Sequence, residues 1–128
     1  MFRFEKFDVW HKAVDFANEV YSVTAAFPLD ERFGLTSQMR RAAVSISSNI
    51  AEGSSRSSDA DFARFLEIAY GSPMETISQA MIAKKQDLLP DDRYGKIHRD
   101  AEELARMLSG LRGKLTKQRR GKSGEKES

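Results

Sequence analysis

The chain has no cysteine, which removes disulfide frameworks, thiolate metal sites and cysteine nucleophiles in one step. Only two histidines, His11 and His98, are left for imidazole chemistry. No stretch approaches the ~20 consecutive apolar residues that a membrane span needs. The opening run MFRFEKFDVWHK is charged throughout and lacks the apolar segment of a signal peptide, so a soluble, cytoplasmic protein is expected. Phosphate-loop, dinucleotide and paired-histidine metal patterns are missing too. No cofactor, metal or small-molecule substrate is therefore expected. Alternating strand patterns and internal repeats are equally absent.

What is present is helical periodicity. Along residues 36–53, TSQMRRAAVSISSNIAEG, and the Leu35 that precedes them, the apolar positions Leu35, Met39, Ala42, Ile46 and Ile50 step by four, three, four and four. Small residues flank this stripe: Ala43, Ser45, Ser47, Ser48 and Ala51. Neighbouring backbones can then approach closely on more than one side, as around the central helix of a bundle. Gly53 is a natural C-cap for it.

Before it, Phe2, Phe4 and Phe7 alternate with charges, as a strand-like arm or the lead-in to a helix. Asp8 is placed to cap helix one, which carries Trp10, Ala13, Ala17, Val20, Thr24 and Phe27 on one face, and Trp10 is expected in the core. A second row, Val9, Phe16 and Val23, widens that face, as more core or as a subunit contact. Pro28 ends the helix, and Asp30 can cap a turn leading into helix two. After the loop SSRSSD, Ser58 and Asp61 form a capping pattern for helix three. Its apolar side holds Phe62, Phe65, Leu66, Ala69, Ile77, Ala80 and Met81. Pro73 either kinks this helix or breaks and restarts it; a kink fits better, because the apolar face resumes in phase. Residues 84–90 form a turn. Tyr94, Ile97, Ala101, Leu104, Leu108, Leu111 and Leu115 then make a sustained heptad seam. Helices over roughly 8–26, 30–53, 58–86 and 91–117 with short connections give an all-α, up-down-up-down antiparallel four-helix bundle.

The net charge of +2 is unevenly placed. Residues 116–128 hold Lys117, Arg119, Arg120, Lys122 and Lys126 against Glu125 and Glu127, so the body, residues 1–115, is left at −1. We expect a bundle domain over 1–115 and a disordered basic tail over 116–128. Such a tail offers weak, salt-sensitive attraction to phosphate. Arg40, Arg41, Arg56, Arg119 and Arg120 are the candidate contacts to nucleic acid or a partner. Arg41, Asn49, Glu52, Glu67 and Glu75 are candidates for a polar network between helices or subunits, where buried charges are normally paired. The second apolar row of helix one and the small residues of helix two lead us to expect an oligomer held through the central helices.

Arg93 and His98 fit the Arg-x4-His spacing of HEPN-class ribonucleases, in which an imidazole shuttles a proton and a guanidinium holds phosphate. Tyr94 stands where those enzymes usually carry a polar residue. We expect no catalytic residues and keep this ribonuclease reading as the alternative.

SQMRRAAVSISSNIAEG, preceded by Val9-Trp10-His11-Lys12-Ala13 and followed by Phe65-Leu66-Glu67-Ile68-Ala69-Tyr70-Gly71-Ser72 and Glu75, resembles the four-helix-bundle proteins encoded in intervening sequences of 23S ribosomal RNA genes. The resemblance covers residues 8 to about 115; Met74-Glu75-Thr76-Ile77 departs from a more leucine-rich, acidic run. It implies a homopentameric bundle, from a family with no established enzymatic activity. A more distant resemblance, to the accessory protein of diversity-generating retroelements, implies a scaffold that contacts RNA or an RNA-processing protein such as a reverse transcriptase. Arg40, Arg41, Asn49, Glu52 and Gly53 are the shared motif positions, with no chemical role attached.

Overall fold

Four apolar stripes of helical period have to find one another, and they do so in a square. The structure, a computed structural model, describes residues 1–127, with side chains as far as Lys117. Its helices are α1 (Asp8–Thr24), α2 (Leu35–Ser54), α3 (Asp59–Lys85) and α4 (Asp91–Glu127). Among the described residues each helix packs on two neighbours, α4 closing against α1, and the backbones of neither diagonal pair approach closely. Short connections make sequence neighbours antiparallel. The expected tail, with Arg119 and Arg120, falls mostly outside the described side chains. Among the described residues no helix is long and apolar enough to cross a membrane.

The core is the set of stripes read from the periodicity. Phe16, Val20, Met39, Ile46, Ile50, Phe62, Leu66, Ile97, Leu104 and Leu108 are all buried at its centre. Trp10 packs on its edge, half-buried and tilted against Phe4 at 4.9 Å. The first residues are not a strand: Arg3–Lys6 is a single 3-10 turn that feeds α1. The second row of α1 is not spare surface either. Val9, Phe16 and Val23 are buried within the monomer, because α1 lies in the corner between α2 and α4 and needs a row for each. Met81 departs in the opposite sense and lies on the outer side of α3, exposed.

Helix ends differ in detail from the sequence expectation. Phe7, not Asp8, is the cap of α1, with Asp8 inside the first turn. A separate 3-10 turn, Leu29–Glu31, precedes α2, and the carboxylate of Glu31 rather than Asp30 accepts from the Leu35 amide at 3.2 Å. Ser58 does cap α3, its hydroxyl accepting from the Asp61 amide at 3.1 Å. Helix α3 runs unbroken through the buried Pro73. It ends in a Schellman arrangement: Leu88 donates to the Ala83 carbonyl at 2.9 Å and Asp87 to that of Lys84 at 3.0 Å. Asp87 takes the left-handed conformation, φ 60°, which aspartate tolerates better than most residues.

Gly53 is not a C-cap. It lies within the last turn of α2, whose cap is Ser55, and it carries no positive φ. A Cβ at this position would stand 2.5 Å from Cβ of Phe65 and 3.1 Å from the ring of Phe62. The glycine is there so that α3 can begin against the end of α2. Ser45 plays a milder version of the same part in mid-helix, its hydroxyl 2.5 Å from that of Ser72.

Candidate functional site

Most charged side chains near the seams are spent on one another. Along α1 and α4, Lys12 pairs with Asp100 at 3.3 Å and Glu103 at 3.1 Å. Lys96 pairs with Asp100 at 2.9 Å and Glu19 at 3.8 Å, and Arg93 reaches Glu19 at 3.5 Å. Partial burial works against charge at both Lys12 and Asp100. The partners outweigh it: hydrogen bonds and attraction from Glu103 and Asp100 raise the Lys12 pKa, and those from Lys96 and Lys12 lower that of Asp100. This ladder is structural. No sequence motif marks it, since its members come from two helices about 80 residues apart.

The Arg-x4-His pair does not assemble within the chain. Arg93 points along α1, where it also donates to the Ser22 hydroxyl at 3.2 Å. His98 lies on the α3 side of α4, its Nδ1 2.6 Å from the Glu102 carboxylate. Beside it a groove of about 350 Å³ runs between α3 and α4, floored by Pro73, Met74, Ile77, Ala101 and Ala105. Two alanines facing a proline leave this hollow. His11 lies elsewhere, exposed, with Nε2 2.7 Å from the Glu5 carbonyl oxygen.

The other nominated residues separate in the same way. Arg40 is an internal fastener: its Nε donates to the Thr24 hydroxyl at 2.9 Å and its guanidinium lies 4.4 Å over the Tyr21 ring. It thus sits at the negative end of α1. Glu52 pairs with Arg56 at 3.2 Å on its own helix end, and the Arg56 guanidinium also covers the Phe65 ring at 4.7 Å. Glu67 pairs with Arg112 of α4 at 3.4 Å. Asn49 donates to the Ser45 carbonyl at 2.8 Å, one turn back. Glu75 accepts from Gln79 at 3.4 Å, and Oε1 of Gln79 is buried without a partner. The carboxylates Glu52, Glu67 and Glu75 therefore do not meet the Arg40-Arg41 pair in one network.

Arg41 is the exception. Among the described residues it makes no hydrogen bond, ion pair or ring contact, and it lines a groove of about 510 Å³ between α2 and α3 with Ser37, Gln38 and Glu75. At the groove's end stands Phe33, 84% exposed, with the Arg32 guanidinium 4.7 Å from its ring. Phe33 escapes a search for stripes because it belongs to none. The available signal is a lone aromatic between arginine and glycine in a turn-rich connection.

The outer face of α3 is the other unusual surface. Ile68, Tyr70, Met74, Met81 and Ile82 are all at least 38% exposed. Charges normally occupy such positions on a solvated helix.

Comparison with known proteins returns a family match and a structural match. The model of the 23S rRNA-intervening sequence protein family matches residues 5–110. A solved structure from Bacteroides thetaiotaomicron, described as a protein of unknown function from the S23 ribosomal protein family, superposes with a TM-score of 0.72 at 25% identity. The match covers 80% of this chain and 96% of that one. The search of curated proteins returned no match.

Proposed function

Since this chain belongs to the 23S rRNA-intervening sequence protein family, we propose that it is a non-enzymatic, oligomeric scaffold associated with RNA. The observation that carries the oligomer is the apolar outer face of α3, continuous through Met74 with the groove beside α4. Surface of this kind favours a protein partner, and a second copy of the same chain is the partner we assign to it. Helix α1 offers no such face, because the monomer buries its second row. A ring of five is what the resemblance implies. RNA as the associated molecule rests on the family description, and the engagement of Arg93 with Glu19 and of His98 with Glu102, away from each other, supports a binding role over a cleaving one.

Light scattering at micromolar concentration tests the first part. A particle several times the 14.5 kDa chain is expected, and Met74→Glu with Ile82→Glu should reduce it to monomer without loss of helix. A wild-type chain that stays monomeric at high concentration overturns the reading. For the second part, RNA incubated with the protein should be retained intact. Cleavage that disappears in His98→Ala would replace the scaffold with the ribonuclease alternative.

A further inference from the structure

We propose that Phe33 and Arg41 form a contact for single-stranded RNA at the α1–α2 end of the bundle, the base stacking on the Phe33 ring and a phosphate pairing with the Arg41 guanidinium. This rests on the RNA-associated reading above and names both the surface and the kind of strand. Phe33 is exposed where burial is the norm. A phenylalanine ring in open solvent forgoes the burial that most aromatic side chains find, and this one is presented at a groove mouth instead of folding inward. Arg32 lies against the ring at 4.7 Å, and an aromatic face with a neighbouring guanidinium is the platform on which unpaired bases stack.

Arg41 adds a guanidinium with no partner among the described residues. Arg40, Arg56, Arg93 and Arg112 are each held by partners, whereas Arg41 keeps its donor fork available in the same groove as Phe33. That fork matches phosphate geometry. Leu35 to Arg41 is about 9 Å of helical rise, which separates the phosphate position from the stacked base. On the opposite wall, Glu75 supplies an acceptor for exocyclic base amines.

Charge selects the kind of strand. The body of the chain carries a net charge of −1, and Glu75 offsets Arg41 locally. Duplex binding by a scaffold of this kind calls for a basic stripe on the fold, which these residues do not make. A stacked base needs no such stripe. It does need to be unpaired.

The test uses the full chain and a fluorescein-labelled, mixed-sequence single-stranded RNA roughly ten nucleotides long, within the usual span of such sites. The same RNA in a duplex serves as the comparison, with anisotropy as the readout. Wild type should prefer the single strand. Phe33→Ala should weaken that binding roughly tenfold, with Phe33→Tyr restoring it, because stacking needs only a π-face. Arg41→Ala should weaken it and reduce the salt slope by about 0.7, the loss of one phosphate contact on a single strand. Both side chains are exposed, so unchanged helix content and melting temperature confirm that folding is intact. Wild-type binding that Phe33→Ala leaves unchanged, or lowers equally for duplex, overturns this site while leaving the scaffold reading in place. No RNA binding by wild type removes both. A changed particle mass in either variant makes the patch a subunit contact and overturns the RNA assignment.

Discussion

At the scale of single residues, two glycine positions in this chain have opposite meanings. Gly53→Ala should destabilise the fold by about 1–3 kcal/mol, because the new methyl meets the Cβ of Phe65, an atom fixed to the backbone. Gly71→Ala, with nothing within 4 Å of its Cβ position, should instead stabilise by roughly 0.5–1 kcal/mol, since alanine costs less backbone entropy in a helix. Denaturant unfolding of both variants checks the pair. Sequence alone does not separate them. A glycine near a helix end has two physical reasons to be there, a left-handed turn or a close crossing, and only the position of Phe65 decides between them. Leu104→Ala or Leu108→Ala belongs to the simpler class. Both leucines are fully buried, so each truncation should cost about 2–5 kcal/mol in the same measurement. A loss below ~1 kcal/mol at both would remove the α4 seam from the core.

At the scale of elements, the stripes were legible because burial on a helix has a period, and Ile97, Ala101, Leu104 and Leu108 follow it into the core. Surfaces have no such period. Val9, Phe16 and Val23 suggest a spare face until α2 and α4 are seen to bracket α1, and Ile68, Tyr70 and Ile82 look ordinary until α3 is seen to turn them outward. Polar partnerships across helices are the least legible. Glu19, Lys12, Asp100 and Glu103 share no motif, yet they bind α1 to α4. That ladder gives a pH dependence whose sign is fixed. Asp100 titrates below its ordinary 3.8, so its contribution is complete above that value and is lost as pH falls through the lowered one. Lys12 titrates above its ordinary 10.5, so its contribution is complete below that value and is lost as pH rises through the raised one. Both contributions are therefore present between these limits, and each is lost beyond its own. Asp100→Asn should flatten the acid limb, and because these groups are only partly buried the change should be about 1 kcal/mol or less.

At the scale of the whole molecule, the neutral bundle and the basic end of the sequence are separable contributors. Leu115 is the last buried residue among those described, so truncation after Lys117 should leave the melting temperature nearly unchanged. It should also remove the steepest part of any salt dependence in RNA binding, since Arg119, Arg120, Lys122 and Lys126 go with it. Titration of the truncated chain against RNA at several salt concentrations measures this. The square itself has a further consequence, for the order in which it forms. Three of its sides join helices adjacent in sequence, and these contacts close over short loops. The fourth, α1 against α4, joins residues as far apart as Lys12 and Asp100, 88 positions along the chain. Loop-closure entropy makes that side the slowest to gain, and a transition state with three sides formed would leave the charge ladder unmade. Mutations in the ladder should then speed unfolding and leave refolding almost untouched. Added salt should act in the same direction, which makes the lifetime of the native state, more than its rate of formation, sensitive to ionic strength.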